Sequence, residues 1–224
     1  MTFQLPSKSR IDFLTSAAKA YHDQAAGSAA AGEYLSTLRG LSWDTSRFFQ
    51  LGVVEEPLPG HERYAGRLAI PYINAQGVVA IRFRCIEHPL AGIECKSVHS
   101  DKYQREPGDK AKLYNLVALT RHADRIAICE GEIDTMTAWQ AGIPAVGVGG
   151  VQNWQKRFRR HFDGYHEVIV LTDADDNGQG SEMGDMLCTE MSNARAIAMP
   201  HGRDVNSYYM TAGAESLVER ATFA

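Results

Sequence analysis

Arg125-Ile-Ala-Ile-Cys-Glu-Gly-Glu-Ile-Asp134 and Glu167-Val-Ile-Val-Leu-Thr-Asp-Ala-Asp-Asp-Asn-Gly178 decide the fold. Each is a short apolar run that breaks abruptly into acids and a glycine. Such runs are too short for helices, and their Val and Ile content reads as buried strand. Around them the spacing predicts a helix over Ile133–Ala141, a strand at Ala145–Val148 and a helix over Gln152–Phe162. A helix over Ser181–Met191, a strand at Ala194–Met199 and helical residues to the end follow. Strands alternating with helices at these lengths predict an α/β domain with a mainly parallel sheet and flanking helices.

In an open parallel sheet, ligands bind beyond the carboxyl ends of the strands. Glu130 follows the first strand, Asp173, Asp175 and Asp176 the third, and Asp204 the fourth. Taken singly, loop acids are most often solvated or cap helices. As a set on successive strand ends they repel one another unless a cation joins them. Clustered carboxylates are hard oxygen ligands suited to Mg²⁺ or Mn²⁺. Gly131 and Gly178 suit tight exits where backbone must approach closely.

Upstream the pattern differs. Ile11, Leu14, Ala18 and Tyr21 recur at helical spacing, and a second helix is expected from Ala30 to Leu38, stopping at Gly40. Ser42 is placed to cap a short helix through Trp43–Leu51. Arg67–Ile73 and Val78–Arg84 flank the turn Asn74-Ala-Gln-Gly77 and read as a hairpin. Alternation puts Ile81 and Phe83 on one face of its second strand and Arg82 and Arg84 on the other. The expected organisation is therefore a helical and basic α+β subdomain, 1–122, followed by the α/β domain, 123–224.

Charge follows this division. Residues 1–60 carry 5 Lys/Arg against 6 Asp/Glu, residues 61–125 carry 11 against 7, and residues 126–224 carry 7 against 14. The balances of −1, +4 and −7 put a phosphate-friendly middle in sequence before a cation-friendly end. With 44% apolar and 22% charged residues the 224-residue chain has a globular composition. No apolar run reaches membrane-spanning length, the first residues lack a secretory layout, and four cysteines form no dense framework. The expected setting is cytoplasmic, in a bacterium or a phage-infected cell, with no membrane partner.

Glu130-Gly131 with Asp134, Asp173-x-Asp175 with Gly178, and Gly202-Arg-Asp204-x-Asn206 resemble the Toprim signature of bacterial and phage primases, topoisomerases and some nucleases. The resemblance implies that Glu130, Asp173 and Asp175 hold catalytic metals and that Asp204 is the acid of the last loop. Asn206 departs from the bacterial form, in which a second acid is usual. Further matches single out the primases. Tyr34-Leu35 ahead of Arg39-Gly-Leu41, the hairpin from Arg67 to Arg84, and Lys102-Tyr103 resemble successive elements of their catalytic core. The family implies RNA primer synthesis from ribonucleoside triphosphates on single-stranded DNA, with Arg82, Arg84 and Lys102 contacting phosphates. Arg39 and Arg67 are weaker candidates that suit structural ion pairs equally well. A metal-dependent nuclease and a non-catalytic binding subunit are the alternatives.

Family members usually carry an N-terminal zinc ribbon, whereas no cysteine here precedes residue 85. Poor initiation, rescued by a helicase or a template-recognition subunit, is the expectation. Cys85-x₂-His88-x₆-Cys95-x₃-His99 offers four zinc-type residues, although a single close pair is a poor match to a paired knuckle. Gly147-Val-Gly-Gly150 has Gln152 where a dinucleotide loop needs a third glycine, and there is no P-loop. Lys156, Arg157, Arg159 and Arg160 read as a solvated face.

Overall fold

The computed structural model describes residues 6–98, 102–121, 123–174 and 178–223. The chain divides into two compact units, Met1–Asp109 and Lys110–Ala224.

In the first unit, helix α1 (Lys8–Ala25) is followed by short helices α2 (Ala29–Gly32) and α3 (Trp43–Phe48), with a π-helical turn, Glu33–Leu38, between them. Ser42 caps α3, accepting the Thr45 amide at 3.1 Å. An antiparallel sheet takes the order β1 (Gly52–Val53), β2 (Leu68–Asn74), β3 (Gly77–Arg84), β4 (Tyr103–Arg105). The expected hairpin is β2–β3, closed by the Asn74–Gly77 pair. Leu14, Ala18 and Tyr21 of α1 pack on Val78, Ile81 and Phe83, each large side chain removing apolar surface worth roughly 1.5–3 kcal/mol from water. Gly52 permits this docking, since a Cβ there would lie 2.5 Å from the Tyr21 carbonyl carbon. Helices α4 (Glu87–Leu90) and α5 (Cys95–Val98) lie in the connection from β3 to β4.

The second unit is built on four parallel strands in the order β6 (Ala145–Gly147), β5 (Arg125–Cys129), β7 (Glu167–Thr172), β8 (Ala194–Ala198). Alternating side chains feed two cores. Ala127, Cys129, Ile169 and Leu171 pack beneath helices α6 (Glu132–Gln140) and α8 (Val205–Phe223). Ile126, Ile128, Val168 and Val170 pack beneath α7 (Gln179–Glu190), Phe158 and Phe162. Alternation of strand and helix therefore yields the expected α/β sandwich.

Two local expectations change. The unit boundary lies at 109/110 rather than 122/123 because Leu113 and Ala118 join the core of Ile126 and Val146. The Tyr114 amide also donates to Gly147 at 2.8 Å, and the Asn115 side chain to the Ala145 carbonyl at 2.8 Å. The segment expected as one helix over 152–162 is two 3₁₀ turns, Val151–Asn153 and Lys156–His161. Extended backbone at Trp154 and Gln155 separates them, leaving neither piece long enough for a stable α-helix. Among the described residues no helix is long and apolar enough to cross a membrane.

Candidate active site

Strands β5 and β7 are hydrogen-bonded neighbours, with Cys129 opposite Leu171. Glu130 and Asp173 are the first residues beyond the carboxyl ends of β5 and β7. After β5 the chain turns to α6 on one face, and after β7 to α7 on the other. Two adjacent parallel strands whose helices diverge to opposite faces leave a crevice between their ends, the usual ligand position in this architecture. Parallel strands lie roughly 4.8 Å apart, so the two acids follow neighbouring strand ends, offset by one residue in the register. Both residues are partly exposed.

The local backbone is tightly determined. The Glu130 carbonyl accepts the Gly150 amide at 2.8 Å, tying the β5 exit to the loop after β6. Gly131 opens α6, where a Cβ would sit 2.8 Å from Asp134 Oδ2. Gly178 precedes α7 with a left-handed φ of 69°, which only glycine adopts without strain. Gly180 was not anticipated. A Cβ there would lie 2.9 Å from the Asp173 amide nitrogen, so α7 passes directly against the backbone of that acid.

The loop after β8 is stitched to the loop after β7. The Ala174 amide donates to Arg203 at 3.1 Å and the Gly202 amide to Ala174 at 2.7 Å. Asp204 therefore follows a loop bonded next to Asp173. It is also the N-cap of α8, its Oδ1 accepting the Ser207 amide at 2.6 Å while its own amide donates to Ser207 Oγ at 2.9 Å. This reciprocal capping box fixes the carboxylate's direction.

Asp134 and Asn206 belong to the helix packing instead. Asp134 Oδ1 accepts the Asn206 amide at 3.1 Å, and Asn206 Nδ2 donates to Thr137 Oγ1 at 2.9 Å. Both residues are buried. The departure at Asn206 thus falls on a bond between α6 and α8, where an amide can donate and a carboxylate cannot. Glu132 is buried in the first turn of α6, at the positive end of its dipole. The negative field reaches Cys129, whose thiol is held well above its ordinary range by burial, with Asp134 and Asp173 adding to it. Asp175 lies outside the described residues.

The basic residues of the first unit form a ladder on aromatic rings. The guanidinium carbon of Arg39 lies 5.2 Å from the Tyr34 ring centre, and Arg84 lies 5.6 Å from Tyr34 and 4.7 Å from Tyr103. Arg82 then sits 4.5 Å from Tyr103. Arg84 is only 4% exposed and donates to the Tyr103 hydroxyl. It was expected to contact phosphate, but its guanidinium faces these two rings instead of solvent. Arg39 also donates to the Tyr34 hydroxyl at 3.1 Å. Arg82, Arg39 and Arg67 are partly exposed and Lys102 is exposed, leaving these four accessible to an anion. Beneath the sheet, Tyr21, His61 and Glu106 form a chain that the sequence did not advertise. The Tyr21 hydroxyl meets His61 Nδ1 at 2.8 Å, and Nε2 meets Glu106 Oε1 at 2.8 Å. Arg10 pairs with the same carboxylate. His61 is 1% exposed, so the chain braces the core.

The Gene 57 protein of Mycobacterium phage D29 is 43% identical over 162 residues, which are 70% of this chain and 99% of that protein. The chain belongs to that protein's family. Its residues 127–209 match the family described as Toprim-like. A DNA primase domain from Pseudomonas aeruginosa aligns with a TM-score of 0.74 at 21% identity, covering 95% of this chain and 78% of that one. The RNA polymerase domain of Mycobacterium tuberculosis primase DnaG, in complex with a double-stranded DNA oligomer with a 6-nucleotide overhang, aligns with a TM-score of 0.75 at 19% identity. That match covers 98% of this chain and 81% of the other. The fold of this Toprim-like chain is that of a DnaG-type primase catalytic core.

Proposed function

We propose that the chain is a primase catalytic core, joining ribonucleotides on a single-stranded DNA template by divalent-metal-dependent nucleotidyl transfer. The observation that carries this reading is the exit of Glu130 and Asp173 from adjacent parallel strands whose helices diverge. That arrangement belongs to a fold shared with primase catalytic cores.

The donor set suits a hard divalent ion. Carboxylate oxygens on two neighbouring strands match Mg²⁺ or Mn²⁺ better than a softer metal. Glu130 and Asp173 would hold the ion, and Asp204, oriented by its capping box, would complete the set. Asp175 joins them on its position in the sequence alone. A divalent ion held by these residues would supply Lewis-acid assistance to ionisation of the attacking ribose 3′-hydroxyl and neutralise charge on the departing pyrophosphate. The chain's own part is to fix the carboxylates through Gly131, Gly178 and Gly180. Arg82 and Lys102, with Arg39 and Arg67, would grip template or nucleotide phosphates, arginine doing so in a bidentate way. A helicase or a separate template-recognition subunit is the proposed partner at initiation.

Incubation with labelled ribonucleoside triphosphates, single-stranded DNA and Mg²⁺ or Mn²⁺ tests the reading. New oligoribonucleotides are expected. Shortened DNA without them would instead identify a nuclease.

A further inference from the structure

Cys85, His88 and Cys95 come together in the connection between β3 and β4. One ligand atom of each, two thiol sulfurs and one imidazole nitrogen, lies within 4.8 Å of the others. Cys85 Sγ and His88 Nδ1 are 3.4 Å apart. With Zn–S near 2.3 Å and Zn–N near 2.0–2.1 Å, a tetrahedral centre requires ligand separations of about 3.5–3.8 Å. The Cys85–His88 separation already fits an edge of such a tetrahedron, and Cys95 Sγ lies within 4.8 Å of both atoms. No disulfide joins the two cysteines.

The geometry points to a zinc site to which Cys85, His88 and Cys95 supply three of the four ligands, distinct in ligand chemistry from the carboxylates of the second unit. Two thiolates and an imidazole favour zinc, whereas the strand-end acids favour Mg²⁺ or Mn²⁺. His99 lies outside the described residues and forms no part of the assignment.

The surroundings give the ion a purpose. The connection leaves β3 at Arg84 and rejoins the sheet at Tyr103, closed by a bond from the Cys85 amide to the Lys102 carbonyl at 3.0 Å. Among its described residues the helices are α4 and α5, of four residues each. Ile93 and Val98 are 43% and 56% exposed, while among its described residues the buried apolar ones are Cys85, Ile86 and Cys95. So small a cluster provides little hydrophobic stabilisation. An ion held by residues at the start of the connection, in α4 and in α5 would cross-link the whole segment and steady Lys102 beside the cation ladder.

Zinc content of untagged full-length protein, purified without chelator under reducing conditions, tests the site and does not depend on the proposed activity. About one zinc per chain is expected, lost in Cys85→Ser and Cys95→Ser and retained in Glu130→Gln. X-ray absorption at the zinc edge of the wild-type protein should give two sulfur scatterers near 2.3 Å, which decides the matter even if the cysteine variants do not fold. No zinc after reconstitution with a zinc salt would overturn the site, and so would Cys85 and Cys95 isolated as a disulfide. A zinc shell of oxygen and nitrogen alone, lost in Glu130→Gln, would assign the metal to the carboxylates instead.

Discussion

The two units of the chain treat charge in opposite ways. In Lys110–Ala224, acids follow adjacent strand ends, where glycines and a capping box fix the local backbone. In Met1–Asp109, three arginines are interleaved with Tyr34 and Tyr103, so that each cation rests on a ring. The first arrangement suits a hard divalent ligand, and the second engages its cations partly in its own stability. Substitutions in the acidic unit should therefore cost activity at little cost in folding. Those in the ladder should divide between folding and binding according to burial.

The largest effect is expected at the strand ends. Glu130→Gln or Asp173→Asn should lower primer synthesis by on the order of 10²–10³ or more, with the circular dichroism spectrum and melting curve preserved. Full activity in the double variant would remove these residues from the mechanism.

His61→Ala should lower stability by roughly 2–4 kcal/mol, read from urea unfolding, because it removes a buried partner from both Tyr21 and Glu106 and opens a cavity among Phe13, Tyr64 and Phe83. The same bracing makes stability sensitive to acid. Burial alone would raise the Glu106 carboxyl, but bonds from His61 and Arg10 outweigh it and leave the carboxyl below its ordinary range. A depressed carboxylate stabilises the fold above its unfolded value, near 4.3, and loses that contribution as pH falls through the lower folded value. Glu106→Gln should flatten the pH dependence of unfolding in that acid range, measured against the wild type.

Asp204 separates capping from ligation. Asparagine caps as well as aspartate, so Asp204→Asn should leave stability within about 0.5 kcal/mol. If the carboxylate also serves the ion, synthesis should fall about 10–100-fold. Unchanged synthesis would make Asp204 a cap alone.

Arg82 and Arg84 differ most subtly. Arg82→Ala or Lys102→Ala should weaken single-stranded DNA binding and reduce the slope of log affinity against log salt by at most about one each. Arg84→Ala should instead lower stability by about 1–2 kcal/mol through lost ring contacts, with its salt slope near wild type. A reversal of the two outcomes would place the anion-binding face on the wrong residue.

How much of this was legible in the sequence depended on range. Strands β5 and β7 could be read because burial on both faces leaves nearly continuous apolar runs, and the acids stand out where those runs end. The hairpin was legible from alternation and Gly77. Alternation also put Arg84 on the basic face correctly, but not its burial, which depends on Tyr34 and Tyr103 arriving from other elements. The His61 chain joins residues 40 and 45 positions apart, and no local pattern announces it. Gly180 was missed because a glycine inside a helix usually signals weakness, whereas here it admits the Asp173 backbone.

Mn²⁺ binding followed by electron paramagnetic resonance tests whether the strand-end carboxylates hold a divalent ion. The wild-type protein should bind Mn²⁺, with Mg²⁺ competing, and Glu130→Gln and Asp173→Asn should each lose most of that binding while remaining folded. Mn²⁺ binding unchanged in both folded variants would contradict the account.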